Sequence, residues 1–214
     1  MNINRYSLTL AILALGSCFS LSLKAAEFPK ENSFTVETFR AKYPISDERN
    51  DALLEQYKRP EIQQDLKPIA DMMSPGWENA PEGQKLPFLK FINDVTYETL
   101  PGGIRGRLSK VAQAPNNKIL GLITYFRRTN GNTASIEYFA VNPRNKMVEN
   151  ALLKVAVDYL TQTKNPAEPP IKSIDSWAPA EYKDAYENNG FKVKGYNQTK
   201  TRAEFEKEIK RFQN

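Results

Sequence analysis

At Asn142-Pro143 the hydrophobic period of the chain changes from two to 3.6, and this change constrains the fold more than any other feature. Before it, residues 118–128 carry Ile119, Leu120, Leu122, Ile123, Tyr125 and Phe126 and predict an apolar strand. Residues 133–141 predict the next strand, with Thr129-Asn130-Gly131-Asn132 between as a hairpin turn, because Asn-Gly accepts positive φ. Residues 103–113 place Ile104, Leu108 and Val111 among basic residues and predict an exposed strand, joined onward through the turn Ala114-Pro115-Asn116-Asn117. After Pro143, the residues Val148, Leu152, Val155 and Tyr159 fall on one helical face, with Ala151 and Ala156 beside them, and predict a helix over 146–162.

The remainder follows the same logic. Pro166, Pro169 and Pro170 mark a linker, residues 171–177 a strand, and 179–188 a helix stopped by Asn189-Gly190. Residues 191–196 predict a strand. Thr201-Arg202-Ala203-Glu204 has the form of a capping box and predicts a closing helix with Phe205, Ile209 and Phe212 on one face; no seventh strand is predicted. A meander feeding a strand–helix–strand crossover between parallel strands gives an α/β class: a mixed, mostly antiparallel sheet with packed helices.

Upstream, residues 27–90 predict a helical N-terminal segment. Ser33 caps a helix over 33–42, with a strand over 34–40 as the alternative reading. Ser46-Asp47-Glu48 starts a second helix bearing Leu53, Leu54 and Tyr57, and a third runs over 61–73 with a kink or stop at Pro68. Three prolines and two glycines make 74–87 a loop.

The first 26 residues have the pattern of a secretory signal peptide. One early positive charge, Arg5, precedes an uncharged apolar run over 8–23, and Lys24-Ala25-Ala26 supplies small residues for cleavage after Ala25 or Ala26. The run is short for a spanning helix, which needs about 20 residues. A retained anchor and a lipid attachment at Cys18, within Leu15-Gly16-Ser17-Cys18, are the alternatives. The expected destination is the periplasm or the medium, with no stable membrane insertion after cleavage. Residues 1–26 hold Arg5 and Lys24 and no acid, so cleavage leaves 28 basic against 25 acidic residues, a net charge of +3. That is too small to imply a nucleic-acid partner. It also removes the single cysteine, and the chain has no histidine. Triads, Cys-His pairs and histidine zinc sites are therefore excluded, and no metal site is expected.

Two segments resemble a known family. Ile136-Glu137-Tyr138-Phe139-Ala140-Val141-Asn142-Pro143, followed by Ala151-Leu152-Leu153, is similar to the fourth strand and third helix of the GNAT N-acetyltransferase superfamily. Ala185-Tyr186-Glu187-Asn188-Asn189-Gly190-Phe191 resembles that family's signature where the penultimate helix turns into the sixth strand. The likeness covers roughly residues 95–197 and divides the chain into a signal peptide (1–26), a helical segment (27–90) and a GNAT-like domain (91–214).

The resemblance implies an exported N-acetyltransferase that moves an acetyl group from acetyl-CoA to an amine acceptor, small molecule or protein. By resemblance, Phe139, Ala140 and Val141 would pair with the pantetheine arm, and Arg144, Asn145 and Lys146 would lie at the pyrophosphate. Glu137 is the candidate base and Tyr186 the candidate acid. For Glu137, a strand residue paired with Arg127 or Arg128 stays open as the alternative; for Tyr186, a ring packed on the sheet. The stretch from Arg144 to Ala151 carries no glycine, where the family's loop usually has glycines that let backbone amides approach phosphate. Acetyl-CoA is also a cytosolic metabolite. A non-catalytic exported binding or interaction protein on the same fold is therefore the second expectation.

Overall fold

The computed structural model describes residues 33–39, 50–96, 107–128, 132–162 and 169–210. The proposed signal peptide, the Asn130-Gly131 turn and the last four residues lie outside them. From Phe34 onward the chain forms one compact unit.

The strands are β1 (Thr35–Thr38), β2 (Arg107–Gln113), β3 (Ile119–Arg127), β4 (Thr133–Val141), β5 (Ser173–Pro179), β6 (Lys192–Tyr196) and β7 (Arg202–Glu208). They make one sheet in the order β1-β2-β3-β4-β5-β7-β6. Every pairing is antiparallel except β4 with β5. The helices are α1 (Asn50–Tyr57), α2 (Pro60–Met73), α3 (Glu82–Thr96), α4 (Lys146–Thr161) and α5 (Lys183–Asn188).

The two faces of the sheet bury two clusters. On one, Ile123, Tyr125, Ile136, Phe139 and Val141 pack against Val148, Leu152 and Ala156 of α4. On the other, Val111, Ile119 and Leu122 pack against Leu53, Leu66, Ile69, Leu89 and Ile92 of α1–α3, with Tyr138 and Ala140 at the margin. Alternation along the strands sends neighbouring residues to opposite helices. Gly121 lies where α4 comes closest. A Cβ there would stand 2.9 Å from Leu152 Cδ1 and 3.1 Å from Val148 Cγ1. Its lack of a side chain is what lets this helix seat on the strand.

Several expectations are corrected. The closing helix is the strand β7. Ala203 and Phe205 are buried while Arg202 and Glu204 are exposed, a period of two. The expected capping box is instead a hairpin turn, in which Asn197 Oδ1 accepts the Arg202 N–H at 2.9 Å and Lys200 takes a positive φ of 56°. The seventh strand thus exists, inserted between β5 and β6. At the other end, the strand alternative holds over 35–38, where Val36 pairs with Ala112. The segment 74–87 is a loop only at its start, for a 3-10 turn at Trp77–Asn79 is followed by α3 from Glu82. Pro68 neither stops nor divides α2, which runs through it. Proline forfeits one helical hydrogen bond, and burial of Leu66, Ile69, Ala70 and Met72 on either side offsets that loss. Gly190 does stop α5 as expected: its φ is 80°, and the Phe191 N–H reaches back to Tyr186 O at 3.0 Å.

Replacing Gly121 with valine is expected to push α4 off the sheet and to lower stability by about 1–3 kcal/mol, the usual cost of overpacking. A urea titration of the purified variant checks it, and an unchanged midpoint would show that the contact yields freely.

Candidate functional site

The site is set by where β4 and β5 part. Their parallel pairing runs from Thr133/Ser173 to Ile136/Ser176 and stops. At the same level β4 has a bulge against β3. Thr124 faces Tyr138 and Tyr125 faces Ile136, so Glu137 is the extra residue. A bulge bends its strand and re-aims side chains. Glu137 reaches across β3 to Arg107 on β2, with Arg107 Nη2 donating to Oε1 at 2.8 Å and Nε lying 2.7 Å from Oε2. Both side chains are largely buried, at 20% and 26% exposure. The ion-pair partner is therefore neither Arg127, which donates to the carbonyls of Leu160 and Gln162, nor Arg128, which pairs with Asp175. Nothing in local spacing marks a partner 30 residues away.

Tyr186 is fully buried. Its ring stacks on Phe205 of β7 with centroids 4.2 Å apart, and its edge meets Phe191 and Phe139. Its hydroxyl shares a 2.8 Å hydrogen bond with Ser176 Oγ. Burial raises the phenol well above its ordinary pKa. The structure thus puts Tyr186 in the core beside Phe139, and does not bring it to Glu137.

The tyrosine at the gap is Tyr182, a residue the sequence did not single out. It precedes Tyr186 by one helical turn, and that i, i+4 spacing is the signal that could have found it. Beyond Ile136, β4 has no partner on β5, and the Val141 N–H donates to the Tyr182 hydroxyl at 3.0 Å. The Tyr182 ring meets Phe139 edge-on at 4.7 Å and carries the Arg144 guanidinium 4.3 Å from its centroid. Burial raises this phenol too. Phe139 and Val141 are buried in the same cluster, whereas Ala140 faces the α1–α3 side.

The loop from β4 into α4 is likewise engaged. Asn145 caps the helix, its Oδ1 accepting from the N–H groups of Met147 at 3.0 Å and Val148 at 3.3 Å. Arg144 binds Glu149 through two nitrogens, Nε at 2.5 Å and Nη2 at 3.1 Å. The Glu149 side chain is only 2% exposed. Arg144 also donates to the Glu181 carbonyl at 3.0 Å and lies 3.3 Å from the Glu181 carboxylate. Its guanidinium is held further above its usual pKa, chiefly by Glu149. Lys146 approaches Asp184 at 3.9 Å, and Asn189 donates to Asn150 at 3.1 Å. Contacts from Arg144, Lys146 and Asn150 thus bridge from β4–α4 to the turn leading into α5 and to α5 itself.

The fold suggests acetyl-CoA, so these residues are the test of its fit. A pantetheine arm needs free backbone groups on β4, and a pyrophosphate needs free amides and cations at the helix start. Here Tyr182 holds the Val141 amide, Asn145 holds two amides of α4, and Glu149 holds Arg144. With these groups engaged within the protein, no chemical step through acetyl-CoA follows from this arrangement. A recess of about 650 Å³ lies between α2 (Lys67, Pro68, Met72), Lys118 and Ile119 at the start of β3, and Asn142 and Pro143 just past β4. This volume is within the usual range for small-molecule sites.

No family model and no curated protein matches this sequence. Solved structures do match the fold. A protein assigned to the GNAT acetyltransferase family from Desulfovibrio desulfuricans is 12% identical, with 83% of this chain and 100% of that one covered, at a TM-score of 0.52. The PaiA N-acetyltransferase of Thermoplasma acidophilum, solved with coenzyme A, is 15% identical over 83% of this chain and 99% of that one, with a TM-score of 0.49. A GNAT-family acetyltransferase of Staphylococcus aureus is 14% identical over 83% and 100%, with a TM-score of 0.44. At such identity the first of these likenesses, the one above a TM-score of 0.5, establishes the fold alone: this chain has the GNAT architecture.

The buried phenols are expected to make stability fall in alkali. Unfolded tyrosine ionises at about 10, whereas burial holds the Tyr182 and Tyr186 phenols higher in the folded chain. The unfolded chain therefore loses its protons first. Stability is expected to hold below pH about 10 and to fall as pH rises beyond it. Denaturation midpoints measured across that range should decline less steeply in Tyr186→Phe, which at neutral pH gives up one hydrogen bond worth about 1 kcal/mol.

Proposed function

We propose that this chain is a non-catalytic binding protein built on the GNAT fold, working outside the cytosol, with the family's cofactor cleft filled by its own side chains. The observation that carries this reading is the Tyr182 hydroxyl on the Val141 amide. A bound pantetheine would have to displace a buried ring, a hydrogen bond and the Arg144 guanidinium stacked on that ring. The burial of Tyr186 supports the same reading, since a proton donor must reach the reacting atoms. The recess beside α2 is where this reading puts a ligand. Export is proposed from the signal-like residues 1–26, and a closed cleft suits a compartment without acetyl-CoA.

A second reading keeps acetyl transfer to an amine. It is favoured by the parting of β4 from β5 and by Glu137 at the bulge. It requires Tyr182 and Arg144 to swing away.

Calorimetric titration of the purified protein, begun at residue 27, with acetyl-CoA separates the two. The first reading expects no saturable heat at millimolar concentration and no thermal shift. A ligand at a hundredfold its Kd would add about 2.7 kcal/mol, so a clear shift would decide for the second. Location has its own measurement. N-terminal sequencing of protein recovered outside the cytosol should begin at Ala26 or Glu27, and recovery only of the full chain inside the cell would refute export.

A further inference from the structure

Glu149 is a carboxylate in an expensive place. Burying a charge is costly unless it is paired, yet this side chain is 2% exposed in the first turn of α4. The start of a helix favours negative charge, and Arg144 grips the carboxylate with two nitrogens. The same guanidinium continues to Glu181 and lies over Tyr182, which holds Val141. One network thus joins the helix start to the residue that fills the gap between β4 and β5. The charged groups in it are Arg144, Glu149 and Glu181, and Lys146 pairs with Asp184 beside it, two positive against three negative in all.

We infer that Glu149 is an internal substitute for a phosphate-type anion: its carboxylate takes the cation that such a ligand would take, and by fixing Arg144 over Tyr182 it keeps the cleft shut. This rests on the closed-cleft reading and adds the element that does the closing. It also makes the closure conditional on one charge. Glu149→Gln keeps the side-chain shape and a hydrogen bond to Arg144 but removes the competing anion, leaving two charges against two. Adding Glu181→Gln leaves the cations in excess.

Inorganic diphosphate is the probe, titrated into the protein begun at residue 27 at low salt, with urea midpoints to verify folding. The wild type is expected to bind it weakly or not at all. Glu149→Gln should bind at least tenfold more tightly, Glu149→Gln/Glu181→Gln more tightly still, and Arg144→Ala added to that pair should abolish the gain. Amide hydrogen exchange reads the other half of the inference: Val141 should lose protection in Glu149→Gln, as it should in Tyr182→Phe, which removes its acceptor. A folded Glu149→Gln that neither binds diphosphate nor loosens Val141 overturns the inference, as does equal binding by the wild type. Should Glu149→Gln fail to fold, Glu181→Gln at the exposed end of the network must show the same direction with a smaller effect, and no change there is equally fatal. Acetyl-CoA binding by the wild type would instead sink the closed-cleft reading, so the two failures are distinguishable.

Discussion

The rest of the structure depends on the parting of β4 from β5. Four residue pairs hold the strands together, from Thr133/Ser173 to Ile136/Ser176, and beyond them each strand follows its own partner, β3 on one side and β7 on the other. A strand that loses a neighbour inside a protein leaves backbone groups that must be satisfied. In the GNAT architecture this opening is where a cofactor would meet the backbone. In this chain the Tyr182 hydroxyl meets it, and Phe139, Tyr186, Phe191 and Phe205 close the space behind. The same geometric necessity is answered from within.

That internal answer spreads outward. Tyr182 is positioned by a short 3-10 turn leading into α5, and the turn is held by Arg144, whose geometry depends on Glu149. α4 in turn seats on β3 through the space that Gly121 leaves. On the opposite face, Ser109 bonds both the Val95 carbonyl at the end of α3 and Thr124 of β3. The helical residues before β2 are therefore part of the sheet's support, sharing a core with β2 and β3.

Much of the fold was legible in the sequence because it rests on local periodicity. The meander, α4, β5, α5 with its glycine stop, and β6 follow from apolar spacing and turn residues. β7 did not, because Phe205 fits a helical face and a strand face equally well until its neighbours are known; pairing with β5 and β6 decides it. The start of α3 was hidden by the prolines and glycines before it. At the site, the partners of Glu137, Val141 and Arg144 were not legible. Arg107 for Glu137, Glu181 for Arg144 and Tyr182 for Val141 are 30, 37 and 41 residues away.

By itself the sequence determined the strand and helix order from residue 107 as far as β6, the GNAT resemblance, and the lack of histidine and of a glycine-bearing loop after Pro143. These are properties of composition and short-range pattern, which need no partner to be read. The tertiary structure alone decided which side chains meet where β4 parts from β5. Whether a tyrosine packs in a core or faces a ligand, and whether an arginine is free for an anion or held by a glutamate, depends on which distant side chains arrive beside it. Those encounters are made by the packing of α4 and α5 against the diverging strands, and no spacing along the chain encodes them in a form that can be read without the fold.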